Sequence, residues 1–169
     1  KTEESVLAGI RSGFSFVRSR GSLWELSLLG FVSTFCGIPL VTLLPVFARD
    51  IFHTGATGYA NLMATSGVGA ITGALLYAGI SHRAAHGRLV LGVQILFALL
   101  VATFALSRNL LLSYAALFLG GICLITLFAS ITSLVQLSAT EEMRGRVMSI
   151  FMLAFRGGMP LGNLVAGYL

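Results

Sequence analysis

Charge is what this sequence has least of. Six acidic and eleven basic residues in 169 make the chain 10% charged against 56% hydrophobic, with a mean hydropathy of +0.92. Soluble domains carry about 25% charge, so that class is excluded and a membrane class is implied. Cysteine is scarce as well. Cys36 and Cys123 stand singly inside apolar runs, with no Cys-x-x-Cys or Cys/His cluster, which reads as packing and not as a disulfide or metal site. His53, His82 and His86 fall in polar breaks with no third ligand nearby. Enzymatic signatures are missing: no G-x-S-x-G, no H-E-x-x-H, no phosphate-binding loop and no carboxylate pair inside an apolar run. The reading is therefore of a protein that is not an enzyme and needs no cofactor. A formal charge of +5 raises the question of nucleic acid, but the cations are scattered singly and form no basic face, which excludes that partner. The opening Lys-Thr-Glu-Glu has neither a start methionine nor a cleavable signal pattern, as expected of a piece of a longer protein.

What the chain does have is long apolar runs. Five are long enough to cross a bilayer as helices, at about 23–46, 58–80, 89–106, 110–137 and 147–169. The fourth, roughly 42 Å long by helical rise, needs tilt or projects into water. No alternating ten-residue pattern recurs as a membrane barrel requires. The expected fold is an all-α, polytopic transmembrane bundle over 23–169, preceded by a linker over 1–22.

Eight cations (Lys1, Arg11, Arg18, Arg20, Arg83, Arg88, Arg144 and Arg146) lie on one side of these spans and two, Arg49 and Arg108, on the other. By the positive-inside rule the N-terminus is cytoplasmic, with Trp24 as an interfacial anchor on that side. In the linker, Val6, Leu7, Ile10, Phe14 and Val17 recur at helical spacing with Arg11 and Arg18 at the margin. That pattern predicts an amphipathic helix on the cytoplasmic surface.

Small and polar residues are placed with a pattern. Gly69 and Gly73 form a G-x-x-x-G step in the second span, which permits close helix approach where lipid gives no hydrophobic drive to associate. Asn61, Thr65 and Thr72 mark one polar stripe on that span. Thr126, Ser130, Ser133 and Gln136 repeat the design on the fourth. In the first span Pro39 and Pro45, with Gly37, interrupt the apolar run, and broken helices border transport sites in several folds.

The sharpest feature is Arg156, ten residues or about 15 Å beyond Arg146. That is near the midplane of a hydrocarbon core about 30 Å thick. Ser149, Arg156, Pro160, Asn163 and Gly167 fall near one face of the fifth span, with Gly158 and Gly162 free to pack tightly or bend. A cation at that depth marks a substrate or ion pathway, is bonded to carbonyls of another helix, or snorkels to the cytoplasmic interface. Arg156, Asn163, Gln136, Asn61 and Thr65 are the pathway candidates.

Four stretches carry a family resemblance. Leu44-Pro45-Val46-Phe47-Ala48-Arg49-Asp50 with Gly55-Ala56-Thr57-Gly58-Tyr59 resembles the seventh helix, external loop and eighth-helix entry of a major facilitator superfamily transporter. Gly67-Val68-Gly69-Ala70-Ile71-Thr72-Gly73 is similar to that family's glycine-rich eighth helix. The loop from Gly79 through Arg83 to Gly87 and Arg88 looks like a degraded copy of its cytoplasmic G-x-x-x-D-R-x-G-R signature. Glu141-Glu142-Met143-Arg144-Gly145-Arg146-Val147-Met148-Ser149 resembles the turn into the eleventh helix. Gly158-Met159-Pro160 is similar to the antiporters' Gly-Pro motif, but Met159 separates the pair and antiport is not inferred.

The resemblance is to the bacterial efflux branch that includes enterobactin exporters. It implies helices seven to eleven of twelve, with the N-terminal half and final helix of the same transporter as missing partners. It further implies a bacterial inner-membrane location and ion-gradient-driven export of a small molecule, a siderophore or drug, by alternating access. A second reading is a non-transporting membrane-embedded binding or assembly module.

Overall fold

A computed structural model describes residues 6–84 and 87–168, with side chains described over 13–79 and 87–168. The side chains of Val6, Leu7, Ile10, Arg11, His82 and Arg83 lie outside the described residues, as does His86 entirely. Six α-helices follow one another with no strand among the described residues: α1 (Val6–Ser19), α2 (Gly21–Val46), α3 (Gly55–Ala84), α4 (Gly87–Leu106), α5 (Leu110–Ser138) and α6 (Arg144–Tyr168). α2 to α6 are each long and apolar enough to cross a membrane. Together they make a multi-pass helical bundle.

The boundaries have local causes. Asn109 caps α5, its side-chain oxygen accepting from Leu111 N at 2.9 Å and Leu112 N at 3.3 Å. Between α2 and α3 the chain widens into a π-helical segment, Phe47–Ile51, and turns through His53 and Gly55 at φ 52° and 61°. Only glycine adopts that left-handed backbone at no steric cost.

The expected interruption at Pro39 and Pro45 is corrected by the structure: α2 runs through both prolines, and the irregular π-helical turns come only after Pro45. Proline lacks an N–H, so the carbonyls four residues earlier lose their helical partners. Neighbouring helices accommodate the freed groups in membrane proteins.

α3 packs mainly along α5, α6 along α2, and α4 along α5. Small residues set these pairings. A Cβ at Gly69 would strike the Phe118 carbonyl, and one at Gly73 would stand 2.7 Å from the Ile122 carbonyl. On the other pair, a Cβ at Gly158 would stand 2.7 Å from the Phe31 carbonyl, and one at Gly162 would strike that of Phe35. The two pairs thus share one register, with two glycines four apart riding over two backbone positions four apart. Gly121 packs on the Ser66 carbonyl, three residues before Gly69, as Thr34 does on the Phe155 carbonyl, three residues before Gly158.

The buried core splits in two. Val90, Phe97, Cys123, Leu127 and Ile131 join Leu23 and Phe151 toward the α1 end, and Leu44, Leu62, Phe104 and Leu117 form a second cluster toward the π-helical end. Outward on α4 and α3, Ile95, Leu99, Ile71 and Leu75 are 60 to 70% exposed. Apolar surface of that extent suits contact with lipid.

α1 is not free. Val17 is buried, and Gly13 lies so close to α6 that a Cβ there would stand 2.7 Å from Ile150 Cδ1. Arg20 Nη1 donates to the Ser138 carbonyl at 3.2 Å, placing a cation at the C-terminus of α5, where the helix dipole favours it. The same guanidinium lies 4.8 Å above the Phe16 ring.

Candidate functional site: a cleft beside Arg156

Arg156 is the central residue of α6, twelve residues or about 18 Å from each helix end. α6 turns Val147, Phe151, Gly158 and Gly162 inward, where they are buried. Arg156 is exposed on the remaining surface and, among the described residues, makes no hydrogen bond or ion pair. Removing one guanidinium from water costs several kcal/mol. At the middle of a membrane-crossing helix that cost is greatest against lipid tails and least against a polar or water-filled surface.

Met152, Arg156, Met159 and Asn163 recur at the i, i+4, i+7, i+11 spacing of one helix face. Met159 lines a recess of about 200 Å³ with Phe155, Thr34 and Ile38 of α2 and Leu124, Ile125 and Phe128 of α5. Phe128 and Phe155 meet across it with ring centroids 4.7 Å apart. Farther along, Thr42 Oγ1 donates to Asn163 Oδ1 at 3.0 Å, tying α2 to α6. One face of α6 therefore carries a cation, an apolar recess and an amide in succession.

The other candidates sit on the opposite pair. Asn61 and Thr65 line a recess of about 430 Å³ with Tyr114 and Phe118 of α5. Thr65 Oγ1 gives its proton to the Asn61 carbonyl at 2.8 Å. Asn61 lies near the π-helical end, as Asn163 does. Gln136 stands apart, exposed near the C-terminal end of α5. The five pathway candidates do not converge on one point.

Pro160 is exposed on α6, and Pro39 Cγ lies 3.0 Å from where a Gly162 Cβ would stand. Gly79 is exposed, as are Gly87 and Arg88 at the start of α4; Arg144, Gly145 and Arg146 are exposed at the start of α6.

Sequence reasoning missed Thr34, Thr42 and the Phe128–Phe155 pair. Thr34, Ile38 and Thr42 are spaced four apart on α2, a stripe that could have been read as facing α6. Thr34 Oγ1 donates to the Phe155 carbonyl at 2.7 Å. The ring pair had no such signal, because nothing local brings α5 to α6. A second polar pair, Ser33 Oγ to Gln94 Oε1 at 2.6 Å, fastens α2 to α4 and is structural.

A family described as transmembrane secretion effector matches residues 1–169, the whole chain. The multidrug efflux pump Tap of Mycolicibacterium fortuitum is 30% identical over 168 residues, covering 98% of this chain and 40% of its own length. The chain thus spans about two-fifths of that relative. No solved structure matches it. With five membrane-crossing helices and a family match from the first residue to the last, the chain belongs to the transmembrane secretion effector family of the major facilitator superfamily.

Proposed function

We propose that this chain is a segment of an ion-gradient-driven exporter of small molecules, and that Arg156 lines its pathway. The observation that carries the reading is a guanidinium at the middle of a helix long and apolar enough to cross a membrane, without a hydrogen bond or ion pair among the described residues and on the same helix face as a recess and an amide. The printed name of the relative, a multidrug efflux pump, supports export.

In this reading the N-terminal half of the transporter closes over the α2–α5–α6 side and a final helix completes the second half. Substrate, a siderophore or drug, is bound between the halves and released by rocking. The cation bias supports a cytoplasmic side for the 1–22 linker and the starts of α2, α4 and α6, and the family resemblance supports a bacterial inner membrane. One incomplete half supplies one wall of the pathway, so these 169 residues alone do not transport.

The test is Arg156→Gln in the complete protein, assayed for gradient-driven export at matched membrane levels. The reading expects loss or re-tuning of export. Unchanged export across the substrates of the parent protein would remove Arg156 from the pathway.

A further inference from the structure

We infer that the substrate is an amphipathic anion, with its acidic group at Arg156 and its apolar body in the recess formed by Phe128, Phe155 and Met159. This rests on the exporter reading above and adds the chemical class of the cargo.

The first argument is charge. The chain has six carboxylates: Glu3, Glu4, Glu25, Asp50, Glu141 and Glu142. None lies in the central part of a membrane-crossing helix: Glu25 is near the start of α2, Asp50 follows α2 in the π-helical segment, and Glu141 and Glu142 precede α6. Asp50 is already engaged by Arg49 at 2.7 Å. From the middle of α6 the nearer helix end is about 18 Å away, farther than one arginine side chain snorkels. The wall therefore presents an uncompensated positive charge, which attracts anions and repels lipophilic cations.

The second argument is the shape beside that charge. Met159, one turn along from Arg156, opens on the recess of about 200 Å³. Its sides are the tilted Phe128–Phe155 pair, Ile38 and a thioether, which favour an aromatic or hydrocarbon body. The Thr34 hydroxyl at its edge directs its proton to backbone carbonyls, at 2.7 Å to Phe155 and 3.0 Å to Phe31. Orientation is left to Arg156. Arg156 is not itself in the wall of the recess; it is the chain neighbour of Phe155 and one turn from Met159, which are, so a charged group flanks an apolar cavity of the kind that takes small molecules.

The matched probes are 8-anilinonaphthalene-1-sulfonate, its uncharged relative N-phenylnaphthylamine, and the cation ethidium, each followed in energised inside-out vesicles carrying the complete transporter. A hydrogen-bonded charge is worth about 1.5–3 kcal/mol, or roughly 10- to 150-fold. The sulfonate is expected to be exported at least about tenfold more efficiently than the neutral probe. Arg156→Gln should erase that preference by lowering export of the sulfonate at least about tenfold more than that of the neutral probe, and Arg156→Lys should keep most of it.

Export of the neutral probe and ethidium in preference to the sulfonate overturns the anion assignment and leaves the exporter reading standing. Equal loss of all probes in Arg156→Gln also overturns it, pointing to a carboxylate of the other half as the partner. Export of no probe by the unmutated protein overturns both.

Discussion

Thr34 Oγ1 donates to the Phe155 carbonyl at 2.7 Å, one turn from where Gly158 lies against α2. The bond holds the two helices together at the depth of Arg156, the neighbour of Phe155. Interhelical hydrogen bonds in membranes contribute on average about 0.6 and at most about 1.7 kcal/mol. Thr34→Val, which keeps the shape and removes the donor, should destabilise the protein within that range in detergent unfolding. No change would mean that glycine packing alone sets the α2–α6 contact.

The glycine contacts are less forgiving. At Gly69 and Gly158 an added methyl meets backbone atoms of the partner helix, which cannot turn aside. Gly69→Ala and Gly158→Ala should each cost about 1–3 kcal/mol, the usual penalty for overpacking. Gly67 and Gly157 have nothing within 4 Å of a built Cβ, so alanine there should be neutral or mildly stabilising through helix propensity. Melting temperatures of the four variants distinguish close contact from mere glycine content.

Asn109 accepts from both Leu111 N and Leu112 N and so satisfies two donors at the start of α5. Asn109→Ala should cost about 1 kcal/mol, and Asn109→Asp should retain most of the stability. Equal unfolding curves for the alanine variant and the parent would show that water replaces the cap.

The two cysteines occupy equivalent places in the shared register: Cys36 follows Phe35 on α2 as Cys123 follows Ile122 on α5. Cys123 is 4% exposed in the cluster that includes Val90 and Phe97 of α4, whereas Cys36 is exposed. A lipid-soluble disulfide reagent such as dithiodipyridine should therefore modify Cys36 well before Cys123 in the folded chain. In the complete transporter the proposed final helix would do for α2 what α4 does for α5, and Cys36 should slow toward Cys123. Equal rates in the 169-residue chain would contradict this packing.

Much of this was legible in the residues because hydrocarbon enforces it. A helix that crosses lipid must be long and apolar, so the spans could be read from run length alone. α3 and α6 outrun the expected 58–80 and 147–169 at their starts, because Gly55 and Arg144 already carry helical backbone ahead of the apolar stretch. Gly69 and Gly73 announced a close contact, though not that Phe118 and Ile122 receive it. Arg156 stood out because a single charge in a run of apolar residues is anomalous by itself. Thr42, Phe128 and the recess did not, since they acquire a role only when α2, α5 and α6 come together. The prolines misled for a related reason: loss of one N–H is visible in sequence, whereas the neighbours that accommodate it are not.

Whether the Arg156 face of α6 lines an aqueous pathway can be measured directly. In the complete transporter with Cys36 and Cys123 replaced by alanine, single cysteines at Met159 and Asn163 are compared with cysteines at Ile95 and Leu99 on α4. The reagent is a charged, water-soluble thiosulfonate. The pathway reading predicts that Met159→Cys and Asn163→Cys react, that an exported compound slows the reaction, and that Ile95→Cys and Leu99→Cys stay unmodified. Unreactive cysteines at both α6 positions, in a protein that still exports, would contradict it.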